Sequence, residues 1–274
     1  VKWDARFVAH IRGEYDRLAG AAAKSGAALI IWPESAVTGF LDSPSEQAWV
    51  GALVRETKAW HLIGTPARAG ESGKLLNRAA LLRPDGSMAA AYDKVQLVPF
   101  GEFVPLQSIL GRWIPLLNEL GDFARGPRPV PLPFPAGPLG VTICYESVYP
   151  HLVRNLAAQG VGLRVNLTND AWYLDTDAPH QHFAANVFRA IEAGVPVLRA
   201  ANTGVTAVID ARGRVQDRLG LFETGVLLAD VTPAVGSSVY ARAGWVFPWG
   251  CLGVILAMAW KQRAGASPAP TRTT

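Results

Sequence analysis

Cysteine is nearly absent: Cys144 and Cys251 are the two in 274 residues. Two cannot build a disulfide framework, and with no CxxC and no Cys/His cluster nothing suggests a zinc site. Histidine is scarce as well, at five. His180 and His182 form an HxH, but no third ligand stands at a suitable spacing, so both read as structural histidines. Charge is thin: 18% of residues, with a balance of only +4. Lys and Arg are scattered rather than gathered in a stripe with aromatics, so nucleic acid is not an expected partner. There is no Met at position 1 and no apolar leader, since the chain opens Val1-Lys2-Trp3-Asp4.

What is plentiful is apolar side chain, half of the sequence. That composition supports a sizeable core and argues against wholesale disorder. Residues about 3–24 carry helical periodicity (Phe7, Ile11 and Leu18 on one side). An α/β domain that begins on a helix is expected to have a strand before it. Ala27 to Trp32 is a short continuous apolar run ending at Pro33, as a buried strand reads. A helix is expected over about 45–60, a strand over His61 to Thr65, and a hairpin from Asn77 to Ala91 turning at Pro84-Asp85-Gly86. Leu139 to Ile143 is a strand running into Cys144. Helices are expected over about 147–159 and 179–193, and strands over Val161 to Leu167, Val195 to Arg199, Val205 to Asp210, Val215 to Leu219 and Val226 to Val231. The order gives two halves, each pairing strands with helices, that stack as an α-β-β-α sandwich over 1–241.

Two stretches break this pattern. Residues 95–138 are rich in Pro and Gly yet apolar (Phe100, Phe103, Ile109, Trp113, Ile114). They read either as an irregular segment packed on its own domain or as a lid meeting lipid or a greasy substrate. Ala243 to Trp260 carries no charge, is flanked by Arg242, Lys261 and Arg263, and has Trp245, Trp249 and Trp260 near its ends. A transmembrane helix over 242–263 is expected, against the alternative of a buried terminal helix. Lys261-Gln262-Arg263 would then lie on the cytoplasmic side, with a disordered tail over 264–274.

Three residues stand where chemistry is done. Cys144 lies where a strand gives way to a helix, a place that exposes one side chain and favours a thiolate, although a lone cysteine is commonly just a small buried hydrophobe. Glu34 closes a strand after Trp32-Pro33, at the sheet edge that ligand sites of α/β folds favour, or else caps a helix. Lys94 sits in a loop, with Glu102 close enough in sequence to hold its ammonium.

Taken together, Pro33-Glu34, Tyr92-x-Lys94 with Pro99-Phe100-Gly101-Glu102, and Cys144-Tyr145-Glu146 resemble, in order and interval, the Glu-Lys-Cys triad of the carbon–nitrogen hydrolase (nitrilase) superfamily. Asn169-Asp170-Ala171-Trp172, Arg189-Ala190-Ile191-Glu192 and Arg199 to Gly204 resemble further blocks of it. Ile31 to Ala36, Leu97 to Pro105 and Thr232-Pro233 to Tyr240-Ala241-Arg242 are similar to its bacterial apolipoprotein N-acyltransferase branch. That resemblance implies an inner-membrane enzyme whose domain faces outward. Cys144 would be its nucleophile, Glu34 its general base, and Lys94 with the Tyr145 N–H its oxyanion donors. Glu102 would orient Lys94 or the amine, and Tyr145, Glu146 and Trp172 would shape the pocket. It implies a phosphatidylethanolamine-like phospholipid as acyl donor, a diacylated apolipoprotein as acceptor, and no metal or organic cofactor. The branch also carries membrane helices and a first strand before this domain, which the present sequence lacks. A soluble amidase or carbamoylase and an inactive fragment are the alternatives.

Overall fold

The computed structural model describes residues 5–70, 72–105, 123–234, 238–244 and 246–265. Two sheets lie face to face. The first has the order β1-β2-β3-β4, built from β1 (Leu29–Ile31), β2 (Trp60–Arg68), β3 (Leu75–Leu82) and β4 (Met88–Asp93). The second has the order β5-β6-β7-β8-β9, from β5 (Leu139–Ile143), β6 (Leu163–Asn169), β7 (Val197–Asn202), β8 (Thr206–Ile209) and β9 (Val215–Leu219). Each half starts with parallel strands and ends in an antiparallel meander. The hairpin turns where Pro84-Asp85-Gly86 places it: Gly86 takes a φ of 86°, and the Ser87 N–H donates to Asp85 Oδ1 at 2.8 Å.

Alternation along the strands divides their side chains between two cores. Leu62, Leu81 and Tyr92 from the first sheet meet Val141, Ile143, Val165 and Leu167 from the second, and close the sandwich. On the outer face of the first sheet, Trp32 and Ile63 pack under α1 (Val8–Lys24) and α2 (Pro44–Thr57). α3 (Pro150–Ala158) and α4 (Ala178–Ala193) cover the second sheet through Leu156 and Phe183. Strands buried on both faces explain why Ala27 to Trp32 and Leu139 to Ile143 read as unbroken apolar runs. The expected α-β-β-α sandwich is the architecture observed.

Three expectations are revised. The helix expected over 147–159 is a 3-10 turn, Cys144–Val148, followed by α3, because Pro150 cannot extend the turn before it and instead starts a new helix. Val226 to Val231 forms no strand. Its alternation is right, but among the described residues it pairs with no strand, and it lines a groove of about 1440 Å³ together with β1. The segment expected to cross a membrane is helical, as α5 (Val239–Ala243) and α6 (Val246–Gly265), yet among the described residues no helix is long and apolar enough to cross one. The apolar part of α6 ends at Trp260 and rises only about 22 Å from Val246, short of the ~30 Å hydrocarbon layer. Phe247, Val254, Ile255, Leu256, Met258 and Trp260 are all exposed, so α6 is not the buried terminal helix either. Trp113, the 106–122 part of the expected lid and the tail from 266 lie outside the described residues.

Candidate active site

β1, β5 and β6 deliver their C-terminal ends to one edge of the sandwich, and β4, running parallel to β2, does the same. The three candidates lie just beyond these ends, Lys94 and Cys144 immediately and Glu34 after Trp32-Pro33. Glu34 follows β1, Lys94 follows β4, and Cys144 follows β5. Two different sheets thus supply one site, and what matters is how their ends are tied together.

The Glu34 turn is clamped on both sides. The Trp32 N–H donates to Leu62 O at 2.8 Å, and the Ala36 N–H to Gly64 O at 2.7 Å. Gly64 has to be glycine, since a Cβ there would collide with the carbonyl of Pro33. Trp32 anchors the turn from below, stacked on Tyr15 at 4.5 Å and donating from Nε1 to His61 Nδ1 at 3.1 Å. The Glu34 carboxylate is oriented by Asn77 Nδ2, which donates to Oε1 at 2.6 Å, and by the Asn169 N–H, which donates to Oε2 at 2.8 Å.

Lys94 is 1% exposed, an extreme position for an ammonium. Its N–H donates to Asn77 O and its carbonyl accepts from Gly126 N, each at 2.8 Å, which fixes the backbone. Its Nζ donates to Glu102 Oε1 at 2.7 Å, while Glu102 Oε2 accepts from the Val98 N–H at 2.9 Å. Burial works against the charge, but the negative field of Cys144, Glu34 and Glu102 outweighs it and holds the ammonium above its ordinary value.

Cys144 adopts a φ of 53°, left-handed and strained for a residue with a Cβ. Burial pushes its thiol up to about 12; the Glu34 charge adds to that, and Lys94 and a hydrogen bond from Thr168 oppose it. At neutral pH the sulfur therefore keeps its proton, and a base must remove it during attack.

Glu146 does not line the site. It is wholly buried beneath it, and its two oxygens accept four hydrogen bonds: Oε1 from the Val95 and Gln96 N–H groups at 2.6 and 2.9 Å, and Oε2 from the Tyr92 hydroxyl and the Ile143 N–H, both at 2.8 Å. It is a strut joining the chain just after Lys94 to the residue just before Cys144. Tyr145 flanks the nucleophile, its ring 5.8 Å from that of His182. Trp172 is 86% exposed and turned to solvent; its neighbour Tyr173 faces inward, near His182 and within the field of Cys144.

Sequence reasoning passed over Asn77, Thr168 and the Asn169 N–H. The signal for Asn77 was there, an amide in the middle of the apolar run Leu75–Leu82. It also passed over the polar cluster of Asn166, Asp170, His182 and Arg199 behind Cys144, all of it buried. Among the described residues no group of three or more His, Cys, Asp and Glu is placed to hold a metal ion.

A carboxylate, an ammonium and a thiol converging at a strained turn suit acyl transfer through a thioester. Comparison with known proteins agrees with that chemistry. The family model described as carbon-nitrogen hydrolase matches residues 8–240. Apolipoprotein N-acyltransferase of Geobacter metallireducens is 40% identical over 271 residues, which are 96% of this chain and 52% of that protein. The protein of the same name from Rhodopseudomonas palustris is 39% identical over 227 residues, 79% of this chain and 42% of that one. The chain thus spans about half the length of the curated relatives it matches. Among solved structures, the amidase of Nesterenkonia sp. AN1 superposes with a TM-score of 0.64 at 22% identity, over 88% of this chain and 93% of that one. A carbon-nitrogen hydrolase from Helicobacter pylori G27 does so with 0.59 at 15% identity, over 78% and 80%. At such identities the likeness is one of fold, but together with the family match and the convergence of Glu34, Lys94 and Cys144 it leaves one assignment: the chain belongs to the carbon–nitrogen hydrolase family.

Proposed function

We propose that this chain carries the catalytic domain of an apolipoprotein N-acyltransferase, which moves an acyl chain from a phospholipid to the α-amino group of a diacylglyceryl cysteine. The observation that carries the reading is the 40% identity to the Geobacter metallireducens enzyme over 96% of this chain. The exposed apolar face of α6 supports it, since a soluble amidase has no use for such a surface. The domain would lie on the outer face of a bacterial inner membrane, with α6 set into the bilayer.

In the proposed scheme, Glu34 takes the proton from Cys144 as sulfur attacks the ester carbonyl of the phospholipid. The negative charge moves to the carbonyl oxygen, between the Lys94 ammonium and the Tyr145 N–H. Collapse breaks the ester bond, and the lyso-phospholipid leaves as an alcohol with the proton returned from Glu34, which leaves a thioester on Cys144. The incoming amine then attacks the thioester, Glu34 accepts its proton, and an amide forms. The proton passes back to sulfur, so every group ends as it began. Glu102 keeps Lys94 pointed at the site. Phe103, with Arg125 stacked 4.9 Å over its ring, would form part of the surface that admits the acyl chain.

The test is intact-mass spectrometry of detergent-solubilised protein incubated with phosphatidylethanolamine, with Cys144→Ala beside it. A mass gain of one acyl group on the wild type alone is the expected result. An unchanged mass, with Cys144 still open to iodoacetamide and small amides hydrolysed, would replace this reading with a soluble amidase. An unchanged mass with no hydrolysis would mark a chain that is inactive by itself.

A further inference from the structure

The carbonyl of Cys144 faces a closed ring of buried polar groups. It accepts from His182 Nε2 at 3.1 Å, from Asn166 Nδ2 at 3.2 Å and, more weakly, from Ser147 Oγ at 3.3 Å. His182 Nδ1 lies 2.9 Å from Asp170 Oδ1, and Asp170 Oδ2 accepts from Arg199 at 2.6 Å. Arg199 also donates to Asn166 Oδ1 at 2.8 Å, which returns the ring to the second donor on Cys144. Thr168 adds a hydroxyl to Asp170 Oδ1 at 3.0 Å. Gly204 makes room for this, because a Cβ there would strike the Asp170 carboxylate.

Packing does not require a ring of this kind. The ring meets the site at the peptide between Cys144 and Tyr145, and Thr168 also bonds the Cys144 thiol. That peptide is planar and trans, so its C=O and N–H point in opposite directions. Holding the carbonyl towards the ring therefore turns the Tyr145 N–H towards the site. That N–H belongs to the first turn of the Cys144–Val148 3-10 helix and has no acceptor within it. Donors on the carbonyl also polarise the amide and strengthen its N–H as a donor. The left-handed φ of Cys144 costs energy that something must offset, and two hydrogen bonds on the same residue do so.

We infer that His182 is a positioning residue: through the Cys144 carbonyl it fixes the oxyanion-binding N–H of Tyr145, and Asp170, Arg199 and Asn166 hold His182 and the carbonyl in register. The inference rests on the proposed role of Cys144 as nucleophile, and it assigns a function to a histidine that sequence reasoning treated as structural. Direct contact with substrate is not part of that role.

Two reactions of the same sulfur separate this role from a merely structural one. Acylation by p-nitrophenyl butyrate passes through a tetrahedral oxyanion; alkylation by iodoacetamide does not. The informative variants are His182→Gln, whose amide nitrogen reaches the Nε2 position, and His182→Asn, whose amide reaches only the Nδ1 position. Both reactions are followed by intact mass, and thermal melting reports folding. His182→Asn should acylate about 10- to 100-fold more slowly than wild type, with alkylation within about threefold. His182→Gln should recover most of the acylation rate. Asn166→Ala, which removes another donor to the same carbonyl, should show the same split and serves if His182→Asn does not fold. Loss of both reactions in parallel, or unchanged acylation in His182→Asn, overturns the positioning role. Wild type that alkylates but is never acylated overturns the nucleophile reading itself, and this inference with it.

Discussion

Replacing Glu146 by glutamine removes a single proton acceptor from a place no substrate touches, yet it should cripple the enzyme. The carboxylate accepts four hydrogen bonds, two at each oxygen. A glutamine keeps one oxygen and turns an NH2 towards the other pair of donors. The Tyr92 hydroxyl can rotate and accept; the backbone N–H it shares with cannot. Hydrogen bonds to a charged group are worth about 1.5–3 kcal/mol each, so losing two costs roughly 3–6 kcal/mol. Part of this is offset because burial already opposes the charge, pushing the Glu146 carboxyl above its usual range against the pull of Gln96, Ile143 and Tyr92. A net loss of about 2–4 kcal/mol remains.

The functional consequence is larger than the stability loss. Val95 and Gln96 follow Lys94, and Ile143 precedes Cys144, so Glu146 sets the distance between the ammonium and the sulfur. A displacement of about 1 Å at that joint is expected to slow acylation about 100-fold. Urea unfolding of Glu146→Gln gives the stability change, and the rate of thioester formation by intact mass gives the other. Tyr92→Phe is the graded control, since it removes one of the four bonds and should show a smaller loss of both. An acylation rate for Glu146→Gln within about threefold of wild type would refute the strut argument, whatever the stability.

Other consequences can be checked separately. Glu102→Gln removes the carboxylate bonded to the Lys94 ammonium, one of the groups that hold its pKa up against burial, so the alkaline limb of the rate–pH profile should move to lower pH while the acid limb stays in place. His61 is buried and pushed down to about 4 by that burial, below its ordinary 6.5. It stabilises the fold fully above pH 6.5, and that contribution, about 3 kcal/mol, should drain away as pH falls towards 4. Melting temperatures across that window should fall in wild type and much less in His61→Leu. Arg164 is wholly buried with no hydrogen-bond partner among the described residues on Nε, Nη1 or Nη2, and burial first, then Arg189, pushes it down to about 9. Arg164→Met should raise the urea midpoint, by about 1–3 kcal/mol of stability.

The site was legible in the sequence to the extent that its members sit at strand ends. Glu34 and Cys144 each close an apolar run long enough to be a buried strand, whereas Lys94 reads as a loop lysine and only the resemblance singles it out. The family resemblance implies a pocket-shaping Glu146, next in sequence to Tyr145. The 3-10 turn instead points it inward, which adjacency alone does not reveal. Trp172 and Tyr173 show the same limit, since neighbouring residues on a tight turn face opposite ways. The polar ring behind Cys144 draws on β6, the turn after it, α4 and β7, and only the closed sheet brings these together. Val226 to Val231 failed in the other direction. Its alternation satisfies the local rule for a strand, but a strand also needs a partner's ladder of hydrogen bonds, and among the described residues this segment joins neither sheet.

The choice of a carboxylate as partner for Cys144 has a consequence that a histidine would not give. A protonated imidazole beside a thiol lowers its pKa and leaves a thiolate at rest; a carboxylate raises it. Here burial and Glu34 together prevail over Lys94, and the resting sulfur stays protonated. Thiolate is the form that peroxides and alkylating agents attack, so the resting site is protected from both. In the proposed scheme the nucleophile is generated only when an ester carbonyl is in place, because only then would Lys94 have an oxyanion to receive and Glu34 a reaction in which to take the proton. If the domain works outside the cytoplasm, as proposed, that protection has a use: the sulfur can stay in its reduced form where no reducing pool would rescue it. The argument requires iodoacetamide alkylation to climb steadily with pH without levelling off near 9, and Glu34→Gln to shift the climb to lower pH while abolishing acyl transfer. A plateau near neutral pH in the wild type would mean that the thiolate is present at rest and that Glu34 has some other task.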